Sequence, residues 1–286
     1  MANAHPADES RVAIDGATIR YRSIGDGRPI LFVHGVYVGG SVWNAVVDRL
    51  DGHRCIVPTW PLGAHTDPAP DADLSARAAA RRILGLIVAL DLSDVTLVGN
   101  DTGGGLCLAA LGCDHPGLER IGRLVLTNCD SYEHFPPKGF DKIAAISRRV
   151  PAFGAAFIWF LSSRLGRKFF MKSVCVSPPH GAEADQVFEA FATSRAARKD
   201  ALRTTRSLDS SVTLDAVDAL RLFERPVLLA WGDHDKLFPL AHAERLLVDF
   251  ANATLRPIAD AATYVMLDQP DELASAINEF VLATPR

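Results

Sequence analysis

The stretch VTLVGNDTGGGLCLAALG, residues 95–112, joins a short apolar run to a glycine-rich turn and then to small residues suited to a helix. The apolar run predicts a buried strand, and Gly99-Asn100-Asp101-Thr102-Gly103 predicts a sharp turn from strand to helix. Glycines are needed there because the turn is tight and the helix must pack closely behind it. This geometry would project Asp101 into a cavity beside the helix amino terminus, whose free N–H groups favour an anion. The alternative is an ordinary glycine-rich loop capped by an aspartate.

Other apolar runs of strand length lie on both sides of this segment. They alternate with helix-length segments, which predicts a parallel sheet with helices on both faces. Residues 11–27, RVAIDGATIRYRSIGDG, instead predict an antiparallel hairpin because a DG turn joins two alternating runs. The predicted fold class is α/β, with a mostly parallel, doubly wound sheet. The runs are RPILFVHG (28–35), HRCIVPTW (53–60), VTLVGN (95–100), GRLVLTNC (122–129), RPVLLAWG (225–232) and ATLRPIAD (253–260).

A long stretch without strand signals interrupts this alternation. It contains apolar segments with helical character, residues 150–161 and 186–197 among them. We interpret residues 131–211 as a helical cap inserted into a core formed by residues 10–130 and 212–286. An insertion at this point would cover the carboxyl ends of the strands, where open α/β sheets bind ligands. Its apolar character predicts a hydrophobic small-molecule substrate.

Composition narrows the classes of partner. The net charge of −4 gives no overall electrostatic reason to expect nucleic acid or an anionic membrane as a partner. The first ten residues are polar, so no secretory signal is predicted, and arginines interrupt the most apolar window, residues 150–170, before it could span a membrane. Five cysteines without metal-site spacing predict reduced core thiols in a cytoplasm. We expect no metal and no cofactor, and a homodimer is left open.

On these features the chain resembles the α/β-hydrolase superfamily, over about residues 11–282. The turn at Asp101 is similar to that of the haloalkane dehalogenase and epoxide hydrolase branch, in which an aspartate is the nucleophile. The stretch LLAWGDHDKLFP (228–239) resembles the segment that carries the acid of the catalytic triad, and Asp235 stands in that place. Asp130 follows the preceding core strand and occupies the alternative acid position of some dehalogenases.

The loop that follows the first parallel strand also resembles the superfamily. In ILFVHGVYVGGSVW (30–43), His34 and Trp43 stand at the offsets of the oxyanion-hole loop. The resemblance implies that the backbone amides of Val36 and Thr102 form the oxyanion hole.

The resemblance fails at the catalytic base. In IADAATYVMLDQP (258–270), the triplet Ala262-Thr263-Tyr264 aligns with Gly-His-Phe of the family, so Thr263 replaces the histidine. A threonine hydroxyl cannot take up a proton near neutral pH, whereas histidine titrates in that range. The residues His65, His134 and His234 are candidates for a substitute base, but none is favoured over a structural role.

The specific dehalogenase and epoxide hydrolase signatures are also absent. Thr102 follows Asp101 where dehalogenases carry a halide-binding tryptophan, and Val36 follows the His-Gly pair. Tyr37 and Val38 come next, without the proline of epoxide hydrolases.

We therefore expect an enzyme with an atypical triad and an uncertain reaction class. Asp101 would be a general base or a nucleophile, which suits an atypical hydrolase or a lyase or cyclase. The alternative is a receptor-like protein that binds a small molecule on a degenerate hydrolase scaffold. The candidate catalytic residues are Asp101, Asp235, Thr263 and Asp130, and the candidate pocket residues are His34, Tyr37, Trp43, Asn100, Tyr132, His134 and Tyr264.

Overall fold

Eight strands form one sheet in the computed structural model, which describes residues 9–284. They are β1 (Glu9–Ile14), β2 (Ala17–Ile24), β3 (Arg28–Val33), β4 (His53–Thr59), β5 (Val95–Asp101), β6 (Ile121–Cys129), β7 (Val227–Gly232) and β8 (Ala253–Ile258). Their order is β1-β2-β4-β3-β5-β6-β7-β8. The pairs β1–β2 and β2–β4 are antiparallel, and the other neighbours are parallel. The predicted α/β class with a mostly parallel sheet is confirmed.

Helices connect these strands in the described residues. They are α1 (Asn44–Val47), α2 (Ala76–Ala89), α3 (Thr102–Leu111), α4 (Phe140–Arg149), α5 (Pro151–Ser162), α6 (Arg164–Val174), α7 (Ala182–Val187), α8 (Glu189–Thr193), α9 (Arg195–Ser207), α10 (Ser211–Leu214), α11 (Val217–Leu222), α12 (Leu240–Asp249), α13 (Val265–Asp268) and α14 (Pro270–Ala283). Short 3₁₀ helices lie at Gly40–Trp43, Leu118–Arg120 and Tyr132–His134. None of the helices described is long and apolar enough to cross a membrane.

Residues 1–8 and 285–286 lie outside the described part of the chain. The secretory-signal prediction therefore falls mostly outside it, as do the last two residues of the predicted core segment.

The turn at Asp101 depends on close packing between β5, α3 and the neighbouring strands. Asp101 adopts φ 53° and ψ −134°. Residues other than glycine rarely adopt a positive φ of this kind, so the backbone is strained at this turn. A Cβ on Gly103 would lie 2.4 Å from the carbonyl oxygen of Val33, and one on Gly104 would lie 2.3 Å from Cβ of Cys129. Glycine is therefore required at both positions because the helix begins in contact with β3 and β6.

The segment between β6 and β7 is helical, from α4 to α11, in the described residues. Residues 186–197, predicted to have helical character, are divided among α7, α8 and α9. The division before α9 occurs because Ser194 is extended and its side chain accepts the Ala197 amide as a helix cap. Backbone hydrogen bonds tie this segment to the core, from the Gly39 amide to Val187 and from the Tyr264 amide to Val174.

We predict that Gly103→Ala lowers the free energy of unfolding by about 1–3 kcal/mol, because the added methyl group meets backbone oxygens that cannot move independently. Urea denaturation monitored by circular dichroism measures this. Gly39→Ala is the matched control, since its Cβ would find its nearest atom at 3.7 Å and its φ of −103° suits alanine. Equal stability of Gly103→Ala and the wild type would contradict the packing described for the turn.

Candidate active site

Asp101 lies at the end of β5 with its carboxyl group almost enclosed, since only 7% of the residue is exposed. A Cβ on Gly35 would stand 2.0 Å from Asp101 Oδ2, so the carboxyl group lies directly against the loop after β3. Burial is the main cause that raises the Asp101 pKa to about 7. The Thr102 amide opposes this rise, and the charge of Asp235 reinforces it. The carboxyl group of Asp101 therefore changes its charge near neutral pH.

The residues predicted to form the oxyanion hole lie near this carboxyl group. The Thr102 amide is close enough to the Asp101 carboxylate to lower its pKa, but Asp101 makes no side-chain capping hydrogen bond of normal geometry at the start of α3. Val36, the other predicted donor, follows Gly35 in the loop that touches the carboxyl group.

Asp235 and Thr263 form a hydrogen-bonded pair beside this turn. The Thr263 hydroxyl donates to Asp235 Oδ1 at 3.0 Å, and both residues are buried. Asp235 also accepts hydrogen bonds from Asn128 Nδ2 at 2.9 Å and from the Leu237 amide at 2.7 Å. Burial still raises the pKa of Asp235 above its usual value, despite these donors. The hydroxyl proton of Thr263 is thus directed at Asp235.

Asn100, a predicted pocket residue, holds the Thr263 loop against the sheet. Its side-chain amide donates to the Thr263 carbonyl at 2.7 Å and to Thr127 Oγ1 at 2.7 Å. Because Asn100 directly precedes Asp101, this bond links the position of the Thr263 loop to the turn itself. The side chain therefore lies in a polar network beneath the site.

Asn128 is a site residue that the sequence reasoning missed. Besides its bond to Asp235, its side-chain oxygen accepts the Gly232 amide at 2.6 Å, which ties the ends of β6 and β7 together. Two polar residues, Thr127 and Asn128, end the otherwise apolar strand GRLVLTNC, and that pattern was the available signal.

Asp130 is fully buried, and neither of its side-chain oxygens has a hydrogen bond of normal geometry, although the Thr102 side chain lies near. Burial and the nearby Asp101 raise its pKa well above the usual value. Its backbone amide donates to the Asp101 carbonyl at 3.3 Å. Of the two candidate acids, Asp235 is the one bonded to Thr263.

Two tyrosines and a phenylalanine of α6 surround the space near Asp101. The Phe170 ring lies 6.2 Å from the Tyr37 ring and 6.1 Å from the Tyr264 ring, in edge contacts. The Asp101 charge contributes to raising the pKa of both tyrosines, which indicates that both lie near it. The Tyr37 hydroxyl bonds Thr205 Oγ1 at 2.7 Å, whereas the buried Tyr264 hydroxyl has no hydrogen-bond partner among the described residues.

His34 and Trp43, two predicted pocket residues, are both buried. The Trp60 amide donates to His34 Nε2 at 2.8 Å, so His34 Nδ1 carries the proton and donates to the Gly35 carbonyl at 2.8 Å. Burial lowers the His34 pKa to about 4 and keeps it neutral. Trp43 packs its ring 5.0 Å from Phe32 in the core, away from open space.

Tyr132 and His134, two predicted pocket residues, both contact side chains of α12. The Tyr132 hydroxyl donates to Asp249 at 2.7 Å, and Arg245 covers its ring at 3.6 Å. His134 stacks on His242 at 4.2 Å. Asp249, Arg245 and His242 belong to α12, and His134 Nε2 also lies 3.6 Å from Glu133. The chain turns toward α12 directly after β6, where Tyr132 takes a left-handed φ of 51°.

The remaining candidate bases have partners elsewhere. His65 Nε2 bonds Asp200 at 3.1 Å, which joins the loop after β4 to α9. His234 is exposed and pairs with Asp233 at 2.5 Å. No described hydrogen bond of Asp101 involves an imidazole.

A model of the alpha/beta hydrolase family matches residues 30–276. The chain therefore belongs to the α/β hydrolase family and is an enzyme of that family. Among solved structures, haloalkane dehalogenase DbeA from Bradyrhizobium elkani matches with a TM-score of 0.82 and 20% identity, over 97% of this chain and 98% of that chain. This likeness confirms the predicted α/β-hydrolase fold.

Curated relatives are enzymes that act on different small molecules. The chain is 25% identical to cis-3-alkyl-4-alkyloxetan-2-one decarboxylase from Shewanella oneidensis, over 94% of this chain and 87% of the relative. It is 24% identical to 2-hydroxy-6-oxo-2,4-heptadienoate hydrolase from Pseudomonas putida, over 99% of both. A third relative, non-heme chloroperoxidase CPO-A1 from Kitasatospora aureofaciens, is 26% identical over 79% of this chain and 81% of the relative.

We predict that Asp101→Asn stabilises the protein increasingly as the pH rises. The folded pKa of about 7 exceeds the ordinary value of 3.8, so the contribution of Asp101 to stability is fully present below pH 3.8 and is lost as the pH rises through 7. Asparagine never ionises, which gives a gain of up to about 4 kcal/mol above pH 7. Thermal unfolding of both proteins across this pH range measures the difference.

Asp26→Asn is the matched control, because Asp26 is exposed in the turn after β2. It should leave the pH profile of Tm unchanged. A difference between Asp101→Asn and the wild type that stays constant with pH would contradict the raised pKa.

Proposed function

We propose that this enzyme acts on a hydrophobic small molecule and uses Asp101 as a general base, in a site that works without a catalytic histidine. The observation that carries the proposal is the buried carboxyl group of Asp101, whose pKa lies near 7. A catalytic base is most effective when its pKa is close to the working pH, because a substantial fraction is then deprotonated while its affinity for a proton is still high. An ordinary aspartate would be a much weaker base.

The environment of Thr263 favours this role over turnover through a covalent ester. We propose that Thr263 stands where relatives carry the histidine base. Its hydroxyl donates to Asp235, and it cannot activate a water near neutral pH. An ester formed on Asp101 would therefore persist, whereas proton transfer by Asp101 needs no such release step.

Tyr264 supplies the second part of the proposed chemistry. Its hydroxyl is buried, unpartnered among the described residues and close enough to Asp101 for the two to interact electrostatically. We propose that Asp101 takes a proton from the carbon next to a substrate carbonyl while Tyr264 donates a hydrogen bond to the oxygen that becomes negative. The C–H electron pair then moves into the enolate, and the proton on Asp101 is returned in a later step. Isomerisation, elimination and cyclisation share this first step.

The surroundings support a hydrophobic substrate. The rings of Phe170 and Phe191 pack against Tyr37, Phe188 packs against Phe170, and all three phenylalanines are buried. We propose that residues 131–211, which contribute these phenylalanines, act as a cap that keeps water from the carboxyl group. The relatives named as a decarboxylase, a hydrolase and a chloroperoxidase support a small organic substrate and an adaptable scaffold. The free cysteines of the described residues fit the cytoplasmic location that we propose.

We predict that the protein exchanges the α-protons of a hydrophobic ketone such as benzylacetone for deuterium in D₂O. Asp101→Asn should slow the exchange by at least about 100-fold because the base is lost. Tyr264→Phe should slow the exchange by about 10–100-fold, because the enolate oxygen loses its hydrogen-bond donor. Proton NMR of the ketone measures the rates. Tyr37→Phe is the matched control and should change them far less, since that hydroxyl is occupied by Thr205.

Two outcomes would separate the alternatives. If a reactive alkyl halide adds once to Asp101, detected as a single mass gain, while no ketone exchanges, Asp101 is a nucleophile and the general-base proposal fails. If neither probe reacts but a small molecule is retained through purification, the receptor-like alternative is supported.

We predict that Thr263→His gains hydrolysis of activated esters. An imidazole at this position would reach Asp235 in place of the hydroxyl and would titrate near neutral pH. The larger side chain in a fully buried position costs about 1–3 kcal/mol of stability. Release of nitrophenol from nitrophenyl esters measures the activity. Thr263→Ser, which keeps the hydroxyl, is the control and should gain nothing. A folded Thr263→His protein without esterase activity would show that Asp101 and Asp235 no longer keep triad geometry.

A further inference from the structure

The outer faces of α5 and α6 carry an unusual concentration of exposed apolar side chains. Of the twelve large apolar residues that are exposed in the described part of the chain, eight lie between residues 146 and 176. Trp159 and Leu165 are each 70% exposed, and Phe169 is 64% exposed. A concentration of exposed apolar side chains of this kind is typical of an interaction site. The others are Ile146, Val150, Phe153, Phe160 and Val176.

Basic residues accompany this surface. Eight lysines and arginines lie between residues 138 and 172, against the single acidic residue Asp141, in a chain whose net charge is −4. The positive charge is therefore segregated into α4–α6, and the rest of the chain is strongly acidic. Arg164, Lys168 and Lys172 are exposed and have no ion-pair partner among the described residues.

The two kinds of side chain are ordered along α6. Arg164, Lys168 and Lys172 follow one another at intervals of four, and Leu165 and Phe169 form a second row with the same interval. Residues four apart lie on one face of a helix, so a basic row runs beside an apolar row. The buried edge of the same helix carries Phe170, which contacts Tyr37 and Tyr264 at the candidate site.

We propose that the outer faces of α5 and α6 dock on the surface of a lipid bilayer that contains anionic lipids. Exposed tryptophan, phenylalanine and leucine suit the boundary between headgroups and acyl chains, and the adjacent lysines and arginines suit anionic headgroups. This surface lies on the membrane and does not cross it, in keeping with the short length of both helices. The proposal differs from the expectation drawn from net charge, because net charge averages over the whole chain.

A second copy of this chain is a less favourable occupant. A symmetric dimer brings the same patch of both subunits together. Two faces that each carry this excess of positive charge would repel one another, whereas an anionic bilayer is complementary to them. The proposal does not depend on the reaction that Asp101 performs.

Trp159 provides a direct readout. The chain has four tryptophans, and Trp43, Trp60 and Trp231 are buried. Addition of vesicles of phosphatidylcholine mixed with phosphatidylglycerol to the full chain should shift the tryptophan emission to shorter wavelength. Vesicles of phosphatidylcholine alone should not, and added salt should weaken the effect by screening. Trp159→Phe should abolish the shift while binding in a flotation assay persists.

Lys168→Glu combined with Lys172→Glu should weaken flotation with the anionic vesicles by at least about tenfold. Leu165→Ser combined with Phe169→Ser should weaken it as well. Arg81→Glu and Leu222→Ser are the matched controls, because both residues are exposed outside the patch, and both should bind as the wild type does. The proposal is overturned if the wild type floats with neither vesicle, if the charge-reversed protein floats equally well, or if light scattering shows a dimer that Trp159→Ser dissociates.

Discussion

The enclosure of one carboxyl group at a strained turn is the constraint on which the rest of the site depends. Asp101 can occupy its left-handed conformation only because glycines let α3 begin against β3 and β6. Gly35 then closes the remaining side, since any larger residue there would overlap the carboxylate. Burial in this position, more than any single charge, brings the pKa of Asp101 close to neutral. The same packing that makes the turn possible therefore makes the carboxyl group basic.

A polar network fixes the neighbouring groups relative to this turn. Asn100 ties the Thr263 loop to the residue beside Asp101, and Asn128 ties Asp235 to the ends of two strands. Thr263 completes a pair with Asp235, so its hydroxyl is satisfied without taking part in proton transfer. The Tyr264 hydroxyl is buried near Asp101 and has no hydrogen-bond partner among the described residues. We propose that the chemistry falls to Asp101 and Tyr264, while this network holds the neighbouring groups in place.

Much of this arrangement could be predicted from the sequence, but not all of it. The glycine pattern around Asp101 and the apolar runs predicted the turn and the sheet, because tight packing and burial leave a local signal. The roles of Tyr132 and His134 could not be predicted, since they depend on the direction the chain takes after β6, toward α12. Asn128 was missed because its bonds to β7 join residues far apart in sequence. The basic and apolar surface of α5 and α6 could not be predicted from the net charge, because the net charge does not show how charges are distributed along the chain.

The protonation of Asp101 is the central claim, and it can be measured directly. Carbon NMR of protein labelled at aspartate carboxyl groups would follow the Asp101 signal with pH, with Asp101→Asn used to assign it. The Asp101 signal should titrate with a midpoint of about 7. A midpoint near the ordinary value of 3.8 would contradict it, since an aspartate ionised at all working pH values would be too weak a base for the proposed reaction.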